Sequence, residues 1–219
     1  PASLWDMGAP RMMASNNWVI GGTRTKSGQA ILSNDPHLEV NRLPNVWSEI
    51  VLSSGDSYLM GGTMPGAPGV LTGRTPNLAW GVTYAFVDAV DSWIEDCKDG
   101  KYRKEGEWHD FHVRTETIKR KKADDVKVDF YENEHGVLDG DPHRPGFYLA
   151  TRWTGAESGS VTFRALFDIA EASTVQEGMD IMGQVETGWD FVFADNAGDI
   201  GFQMTGKVPK RRTGISGFV

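Results

Sequence analysis

Short apolar runs separated by glycine-containing turns are the feature that most constrains how this chain can fold. Runs of this kind, bounded by Gly, Asn, Asp and Ser, are typical of β-strands, because those residues form tight turns. The sequence has 26 Gly and 8 Trp in 219 residues, and most tryptophans fall inside the runs. This combination indicates a β-rich fold with a large aromatic interior. The predicted strands span residues 18–22, 29–33, 46–52, 57–61, 78–83, 90–96, 111–120, 126–133, 147–153, 191–195 and 200–205.

Two helix signals follow in the last third of the chain. Thr162 is the predicted N-cap of a helix over residues 163–171, because its hydroxyl can accept a hydrogen bond from an unpaired backbone N–H. Thr174 and Glu177 have the spacing of a capping box and predict a second helix that runs to about residue 185. Many strands with a few helices predict the α+β class.

Charge and composition exclude several classes of function. The formal net charge of -8 disfavours a nucleic-acid partner. The apolar runs are shorter than the roughly 20 residues that a membrane helix needs, so no membrane span is expected. The single cysteine, Cys97, excludes an internal disulfide and a cysteine-based zinc cluster. Residues 1–14 lack the basic start and apolar stretch of a signal peptide.

The run Ser15-Asn16-Asn17-Trp18 is the leading candidate for chemistry. A serine hydroxyl is a weak nucleophile and needs a base to remove its proton. The α-amino group of an N-terminal serine can be that base, because its pKa is about 7.7–8.0. Within an intact Ala14–Ser15 peptide bond the same nitrogen is not basic. Cleavage before Ser15 would therefore place nucleophile and base on one residue.

This run resembles the start of the β chain of the penicillin amidase family, whose members are N-terminal-nucleophile hydrolases. The resemblance covers Ser15 to about Gly214. It implies the four-layer αββα sandwich of that fold, here partial and β-rich, and a precursor that cuts itself before Ser15. We therefore expect residues 1–14 to be the end of a spacer peptide. Residues 15–219 are expected to be the amino-terminal part of the acylase β-chain domain.

A second block with this resemblance is Asn34-Asp35-Pro36-His37-Leu38. In the family, a residue at this distance from the nucleophile holds the terminal amine through a backbone or side-chain contact. The resemblance thus implies that His37 orients the amine and hydroxyl of Ser15. Taken alone, the residues also fit a histidine in a turn at the end of a strand.

The third and most specific block runs from Trp80 to Asp91 and resembles the family segment Trp-Gly-x-Thr-x-x-x-x-Asp-x-x-Asp. It implies that the backbone N–H of Tyr84 donates to the oxyanion. Backbone donors suit this task because they are in place before the charge develops. The same residues also fit a buried strand, and both interpretations can hold together. The family's second oxyanion donor, an asparagine side chain, is expected beyond Val219, so residues 1–219 alone are expected to be inactive.

The same block implies a structural calcium site. The carboxylates of Asp88 and Asp91 and the carbonyls of Val90 and Pro209 match ligands of the family. Calcium takes six to eight oxygen ligands, and the remaining ones are expected from the other chain and from beyond Val219. Without the resemblance, the two aspartates also fit ordinary loop residues.

By position, the resemblance places five residues around the acyl group of a substrate: Leu38, Leu71, Thr72, Phe86 and Trp189. Packing in the core is the alternative for each of them. Glutaryl-specific relatives carry an arginine in the region of Thr72. A threonine has no charge to pair with a second carboxylate, so a dicarboxylic acyl group is disfavoured.

The predicted function is hydrolysis of a linear N-acyl amide by an autoprocessed N-terminal serine. A long-chain N-acyl homoserine lactone or another hydrophobic N-acyl amide is expected ahead of a β-lactam. The expected partners are this small-molecule substrate, the acylase α chain and the remainder of the β chain, and the expected location is periplasmic or secreted. The alternative is a non-catalytic β-rich calcium-binding module or an inactive precursor fragment.

Overall fold

The computed structural model describes residues 14–38, 46–157, 159–211 and 213–214. Apart from Ala14, the predicted spacer lies outside the described residues. The chain divides into two units. The first takes the described residues within 1–87 and 158–207, and the second takes those within 88–157 and 208–219.

Strands and helices are numbered in chain order. The strands are β1 (Ala14–Ile20), β2 (Ile31–His37), β3 (Ser48–Ser54), β4 (Ser57–Thr63), β5 (Thr72–Arg74), β6 (Leu78–Tyr84), β7 (Val90–Lys98), β8 (Lys101–Lys104), β9 (Glu107–Asp110), β10 (His112–Ile118), β11 (Val126–Asn133), β12 (Gly136–Asp139), β13 (Gly146–Trp153), β14 (Trp189–Asp195) and β15 (Ile200–Met204). The helices are α1 (Ser160–Asp168) and α2 (Val175–Met182), and short 3₁₀ turns lie at Gly22–Arg24, Thr154–Ala156 and Ile169–Glu171. Among the described residues, no helix is both long enough and apolar enough to cross a bilayer.

The first unit is built around a six-stranded sheet with the order β15-β14-β6-β5-β4-β3. Alternate residues of two inner strands are fully buried: Phe191 and Phe193 in β14, and Leu78 and Trp80 in β6. Because side chains alternate between the faces of a strand, these residues share one face. The helical segments pack on that face and contribute Leu166, Ile169, Val175 and Met182 to the same cluster.

The antiparallel β1–β2 hairpin packs on the opposite face of β6 and β14. A Cβ atom on Gly81 would lie 2.5 Å from Asn17 Oδ1 and 2.9 Å from Asn34 Cβ, so the hairpin can approach this closely only over a glycine. On the helical face, a Cβ atom on Gly178 would lie 3.0 Å from Leu78 Cδ2. Helices, six-stranded sheet and hairpin therefore form three successive layers of the predicted sandwich.

The second unit contains a seven-stranded sheet with the order β10-β11-β12-β13-β7-β8-β9. Strands β10 and β11, which correspond to the predicted strands over residues 111–120 and 126–133, pair antiparallel and form a long hairpin. The core of the second unit is smaller than that of the first and contains Cys97, Tyr102, Phe111, Leu138 and Ala150. Burial raises the pKa of the Cys97 thiol to about 11. This thiol is therefore not a nucleophile at neutral pH.

The helix predicted from Thr162 begins earlier than the sequence suggests. Helix α1 starts at Ser160, and its N-cap residue Gly159 has φ 63° and no side-chain cap. Thr162 lies inside the first turn, where its hydroxyl accepts a hydrogen bond from the backbone N–H of Glu186 at 3.1 Å. The predicted N-cap is thus wrong, because the hydroxyl makes a tertiary contact instead.

The capping box predicted at the start of α2 is confirmed. The Thr174 hydroxyl accepts the N–H of Glu177 at 3.2 Å, and the Glu177 carboxylate accepts the N–H of Thr174 at 3.3 Å. The helix ends at Met182, before Gly183, and so is shorter than predicted. A turn over residues 196–199 joins β14 to β15, which correspond to the predicted strands over residues 191–195 and 200–205.

Candidate functional site

Ser15 lies in β1, directly opposite Pro36 of β2. Opposite residues of an antiparallel pair share a face, so Ser15 points the same way as Asn17 and Asn34, which contact β14 and β6. Its side chain is half-buried. The predicted nucleophile therefore lies on the face of the hairpin that covers the six-stranded sheet.

Two asparagine side chains tie this hairpin to the sheet. Asn17 Nδ2 donates to the carbonyl of Asp190 in β14 at 3.2 Å. Asn34 Nδ2 donates to the carbonyl of Val82 in β6 at 2.8 Å, and Asn34 Oδ1 accepts the Val82 N–H at 3.2 Å. A carboxamide carries the same donor and acceptor as a peptide group. The Asn34 carboxamide therefore makes with Val82 the two hydrogen bonds that the backbone of a neighbouring strand would make.

The hairpin runs along β6 in a defined direction. Gly21, just after β1, lies against the first residue of β15, since a Cβ atom there would be 3.7 Å from Ile200 Cδ1. The register places that end of β15 level with the first residues of β6. Asn17 lies over the middle of β6. Traced backwards to Ser15, β1 therefore leads toward Tyr84, where β6 ends.

The backbone N–H of Tyr84 points toward an edge of β6 that is unpaired at this level. The N–H of Ala85 donates to the carbonyl of Gly188 at 3.0 Å. In the alternating pattern of an antiparallel pair, the Tyr84 N–H then points away from β14. On that side, β5 pairs with β6 at Ala79 and Trp80, and no further pair is found in the described part of the chain. Within the described ranges, the Tyr84 amide is thus a backbone donor without a strand partner, which is the property that an oxyanion donor needs.

The imidazole of His37 lies on the other face of the hairpin from the Ser15 side chain. Since Ser15 is opposite Pro36, the side chains of Asp35 and His37 alternate to the far face. There His37 Nε2 lies 3.5 Å from Asp35 Oδ2, with 50% and 67% of the two side chains exposed. A contact between His37 and the Ser15 amine would therefore come from the His37 backbone, one of the two forms that the sequence prediction allows.

The residues predicted around an acyl group have different surroundings. Tyr84 and Phe86 form an edge-to-face pair with ring centroids 6.1 Å apart, and Phe86 is 95% exposed. The Phe86 ring is therefore accessible to a ligand. Leu71 and Trp189 pack in or against the helix-side core, which favours the core alternative for these two.

Thr72 is the first residue of β5 in the sheet, and Leu38 directly follows the β1–β2 hairpin. The Thr72 hydroxyl donates to the carbonyl of Trp80 at 3.2 Å and so bridges β5 and β6. Leu38 is half-buried, directly after β2. Neither side chain carries a charge, so neither can pair with a second substrate carboxylate.

Asp190 is a half-buried acid beside the hairpin that sequence reasoning missed. Asn17 Oδ1 and Asp190 Oδ1 are both buried, and within the described residues neither has a hydrogen-bond partner. Burial raises the pKa of the Asp190 carboxyl, because apolar surroundings disfavour the charged form. The signal in the sequence is one acid between Trp189 and the apolar run that starts at Phe191.

The predicted calcium ligands Asp88, Val90, Asp91 and Pro209 all fall in the second unit. Arg211 bridges the two carboxylates, with Nη2 3.2 Å from Asp88 Oδ2 and Nη1 3.0 Å from Asp91 Oδ2. Hydrogen bonds to these carboxylates, first that to Asp91, raise the pKa of Arg211. The described residues contain no group of three or more His, Cys, Asp or Glu arranged around a metal position. Two carboxylates held by a guanidinium do not by themselves fit calcium, which takes six to eight oxygens.

The arrangement in the first unit restricts the choice of base for Ser15. His37 is the only histidine in the residue ranges of this unit, and its imidazole faces away from Ser15. A histidine of this unit therefore does not activate the hydroxyl through its side chain. The α-amino group of Ser15, once released from Ala14, is a base on the same residue.

Comparison with known proteins finds similarity over nearly the whole chain. The family model described as penicillin amidase matches residues 2–218. The acyl-homoserine lactone acylase QuiP of Pseudomonas aeruginosa is 31% identical over 218 residues, which cover 92% of this chain and 25% of that protein. The penicillin acylase 2 proenzyme of Pseudomonas sp. (strain SE83) is 32% identical over 206 residues, which cover 90% of this chain and 26% of that protein. The chain thus spans about a quarter of the length of these curated relatives.

A solved structure shares the fold. The thermostable penicillin G acylase from Alcaligenes faecalis, in its orthorhombic form, matches with a TM-score of 0.77 at 20% sequence identity. The match covers 92% of this chain and 36% of the acylase chain. The predicted fold class, a partial and β-rich N-terminal-nucleophile hydrolase sandwich, is confirmed.

Proposed function

Because the chain belongs to the penicillin amidase family, we propose that it is the nucleophile-bearing part of an enzyme that hydrolyses a linear N-acyl amide. Ser15 is the nucleophile, and its α-amino group, released by cleavage of the Ala14–Ser15 bond, is the base. One observation carries the proposal: the strand that bears Ser15 runs toward the end of β6, where the N–H of Tyr84 has no strand partner among the described residues.

In the proposed reaction, the α-amino group takes the proton of the Ser15 hydroxyl, and Oγ attacks the carbonyl carbon of the amide. The Tyr84 N–H donates to the oxyanion, and a backbone donor needs no reorganisation as the charge develops. Collapse of the intermediate expels the amine, which receives the proton held by the α-amino group, and leaves an acyl ester on Ser15. Water then attacks the ester, releases the acid and restores the hydroxyl.

The proposed substrate carries a hydrophobic acyl group. The exposed ring of Phe86 offers apolar surface beside Tyr84, and Thr72 offers no charge. The similar proteins include one named an acyl-homoserine lactone acylase and one named a penicillin acylase. We place a long-chain N-acyl homoserine lactone first and a β-lactam after it. The acylase α chain and the rest of the β chain are the proposed partners, and a periplasmic or secreted location stays a prediction.

Mass spectrometry and serine labelling test this function. In the expressed full-length protein, the Ala14–Ser15 bond should be cut, and phenylmethylsulfonyl fluoride should label Ser15. Ser15→Ala should stay uncut and unlabelled. Ser27→Ala is the matched control, because Ser27 lies in the turn of the same hairpin and contacts only turn residues in the described structure. Normal cleavage of Ser15→Ala would support the non-catalytic binding module instead.

Substrate choice is tested on the full-length processed protein. Release of homoserine lactone from N-decanoyl homoserine lactone is compared with release of amine from a penicillin and from a glutaryl amide. Because Thr72 has no charge, the glutaryl amide should be the poorest substrate. A preference for the glutaryl amide would refute the assignment of the acyl pocket.

A calcium ion held by Asp88, Asp91 and the carbonyls of Val90 and Pro209 is a further proposal. Since Arg211 holds both carboxylates, calcium would have to compete with its guanidinium. The bound ion would stabilise the loop after Tyr84 and would take no part in the reaction.

Arg211→Ala separates these two roles. Without calcium, the variant should unfold at a lower temperature, because two neighbouring carboxylates lose their partner. In calorimetric titration the variant should bind calcium more tightly than the unmodified protein. Arg144→Ala is the control, because Arg144 makes an exposed ion pair with Asp141 in the same unit. Absence of calcium binding in both Arg211→Ala and the unmodified protein would remove the proposal.

A further inference from the structure

Asn34 joins three backbone groups of two different strands. Its Nδ2 donates to the carbonyl of Val82 at 2.8 Å and to the carbonyl of Asn16 at 3.1 Å. Its Oδ1 accepts the N–H of Val82 at 3.2 Å. Both N–H groups and the oxygen of the carboxamide are therefore engaged. One side chain of β2 links the strand that carries the nucleophile to β6.

This contact lies on the same edge of β6 as the N–H of Tyr84. Residues two apart in a strand point their N–H groups to the same side, so Val82 and Tyr84 share the edge that faces away from β14. Pairing with β5 reaches Trp80, and Asn34 takes the next place, at Val82. The Tyr84 N–H is the following donor along that edge.

Ser15 has the matching place on the hairpin. Asn34 is opposite Asn17, and Ser15 lies two residues before Asn17 in β1. Two residues of strand span about 6.4–6.8 Å, which is also the step from Val82 to Tyr84. Because β1 traced backwards leads toward Tyr84, the contact of Asn34 with Val82 determines how far Ser15 reaches along β6.

We propose that Asn34 is a positioning residue, which holds the strand of the nucleophile in register with the strand of the oxyanion donor. This inference rests on the proposed function. Asn34 acts through Val82 and does not touch the reacting atoms. A misplacement of about 1 Å can cost on the order of 10²-fold in rate. A group that only aligns the reacting atoms changes kcat and leaves KM nearly unchanged.

The test compares Asn34→Ala with Asn196→Ala. Asn196 Nδ2 donates to the carbonyl of Pro76 at 2.6 Å, so the control loses the same kind of side chain to backbone contact in the same unit. The measurements are hydrolysis of N-decanoyl homoserine lactone, the rate at which phenylmethylsulfonyl fluoride labels Ser15, and thermal unfolding. Asn34→Ala should lower kcat and labelling about 100-fold, with KM within roughly threefold. Asn196→Ala should lower the unfolding temperature and keep both rates.

Asn34→Asp keeps the proposal testable where Asn34→Ala fails to mature. A carboxylate still accepts the Val82 N–H but cannot donate to the carbonyls of Val82 and Asn16, whereas the protonated acid can donate once. The rate of self-cleavage before Ser15, relative to the unmodified protein, should therefore rise as the pH falls toward the ordinary carboxyl pKa of about 3.9. A ratio that does not change with pH would overturn the proposal.

The outcomes separate the inference from the function on which it rests. A lower unfolding temperature with unchanged kcat and labelling in Asn34→Ala would assign Asn34 a structural role only and would overturn the inference. Equal losses of kcat in Asn34→Ala and Asn196→Ala would overturn it as well. An unmodified protein that is neither cut before Ser15 nor labelled would refute the proposed function itself.

Discussion

Gly81→Ala is the substitution that most directly tests how the hairpin lies on the sheet. The new Cβ atom would lie 2.5 Å from Asn17 Oδ1, 2.9 Å from Asn34 Cβ and 3.2 Å from Asn34 Cγ. Non-bonded atoms of this kind pack at about 3.5–4.0 Å. The hairpin would therefore have to retreat from β6 by roughly 0.5–1 Å.

The cost follows from the contacts that this retreat would break. The bond from the Val82 N–H to Asn34 and the bond from Asn17 to Asp190 are both 3.2 Å long, so the shift would take them beyond hydrogen-bond length. A typical hydrogen bond contributes about 0.5–1.5 kcal/mol, and overpacking costs about 1–3 kcal/mol. Because moving the hairpin relieves part of the overlap, we expect a total loss of about 2–4 kcal/mol.

Thermal and urea unfolding of the expressed protein measure this loss. At about 2–4 °C per kcal/mol for a chain of this size, the midpoint should fall by roughly 4–16 °C. Gly21→Ala is the matched control, because Gly21 has φ -67° and a Cβ atom there would be 3.7 Å from its nearest neighbour. The control should be neutral or more stable by about 0.4–1 kcal/mol. A Gly81→Ala protein within about 0.5 kcal/mol of the unmodified one would refute the described packing.

Three further substitutions have defined outcomes. Asp190→Asn should raise the free energy of unfolding at neutral pH. The raised pKa of Asp190 means that ionisation of this carboxyl destabilises the folded state, and asparagine does not ionise. The gain over the unmodified protein should vanish as the pH falls below about 3.8. Urea unfolding at several pH values measures this, and an unchanged or lower stability at neutral pH would contradict it. Glu134→Gln should lower the free energy of unfolding at neutral pH, because a hydrogen bond from Lys104 holds the pKa of Glu134 at about 2. This loss of stability should shrink as the pH falls from about 4.5 toward 2. A loss that does not depend on pH would count against the ion pair. Thr174→Ala removes the capping box of α2 and should cost about 1 kcal/mol in the same assay, whereas Thr174→Ser should cost little.

Local patterns in the sequence predicted much of the fold. The alternating runs that became β6, β10 and β11 and the capping box at Thr174 depend on neighbours a few residues apart, so the chain itself carries the signal. Strands β5, β8, β9 and β12 were not predicted. They have three or four residues each and are held in the sheets by pairing with neighbouring strands. Such short segments contain too few residues to show a period of two.

The helix boundaries show where local signals lose to tertiary contacts. Thr162 has the chemistry of an N-cap, but its hydroxyl is engaged by the N–H of Glu186, 24 residues away. A hydroxyl that could cap a helix or make a tertiary hydrogen bond bonds to whichever N–H group the fold places beside it. No pattern around Thr162 reports that partner.

For the candidate site, the sequence by itself determined the residue types: a serine before two asparagines, the block around Tyr84 and the aspartates at 88 and 91. Only the tertiary structure decided their relations. Strand register turns the imidazole of His37 away from Ser15. The contact between Asp88 and Arg211 cannot be predicted from local sequence, because 123 residues separate them. The role of Asn34 depends on the edge of β6 that β5 leaves unpaired. The physical reason is that the chemistry of a residue depends on its own side chain, whereas its face, edge and partner in a sheet depend on which distant strand lies beside it.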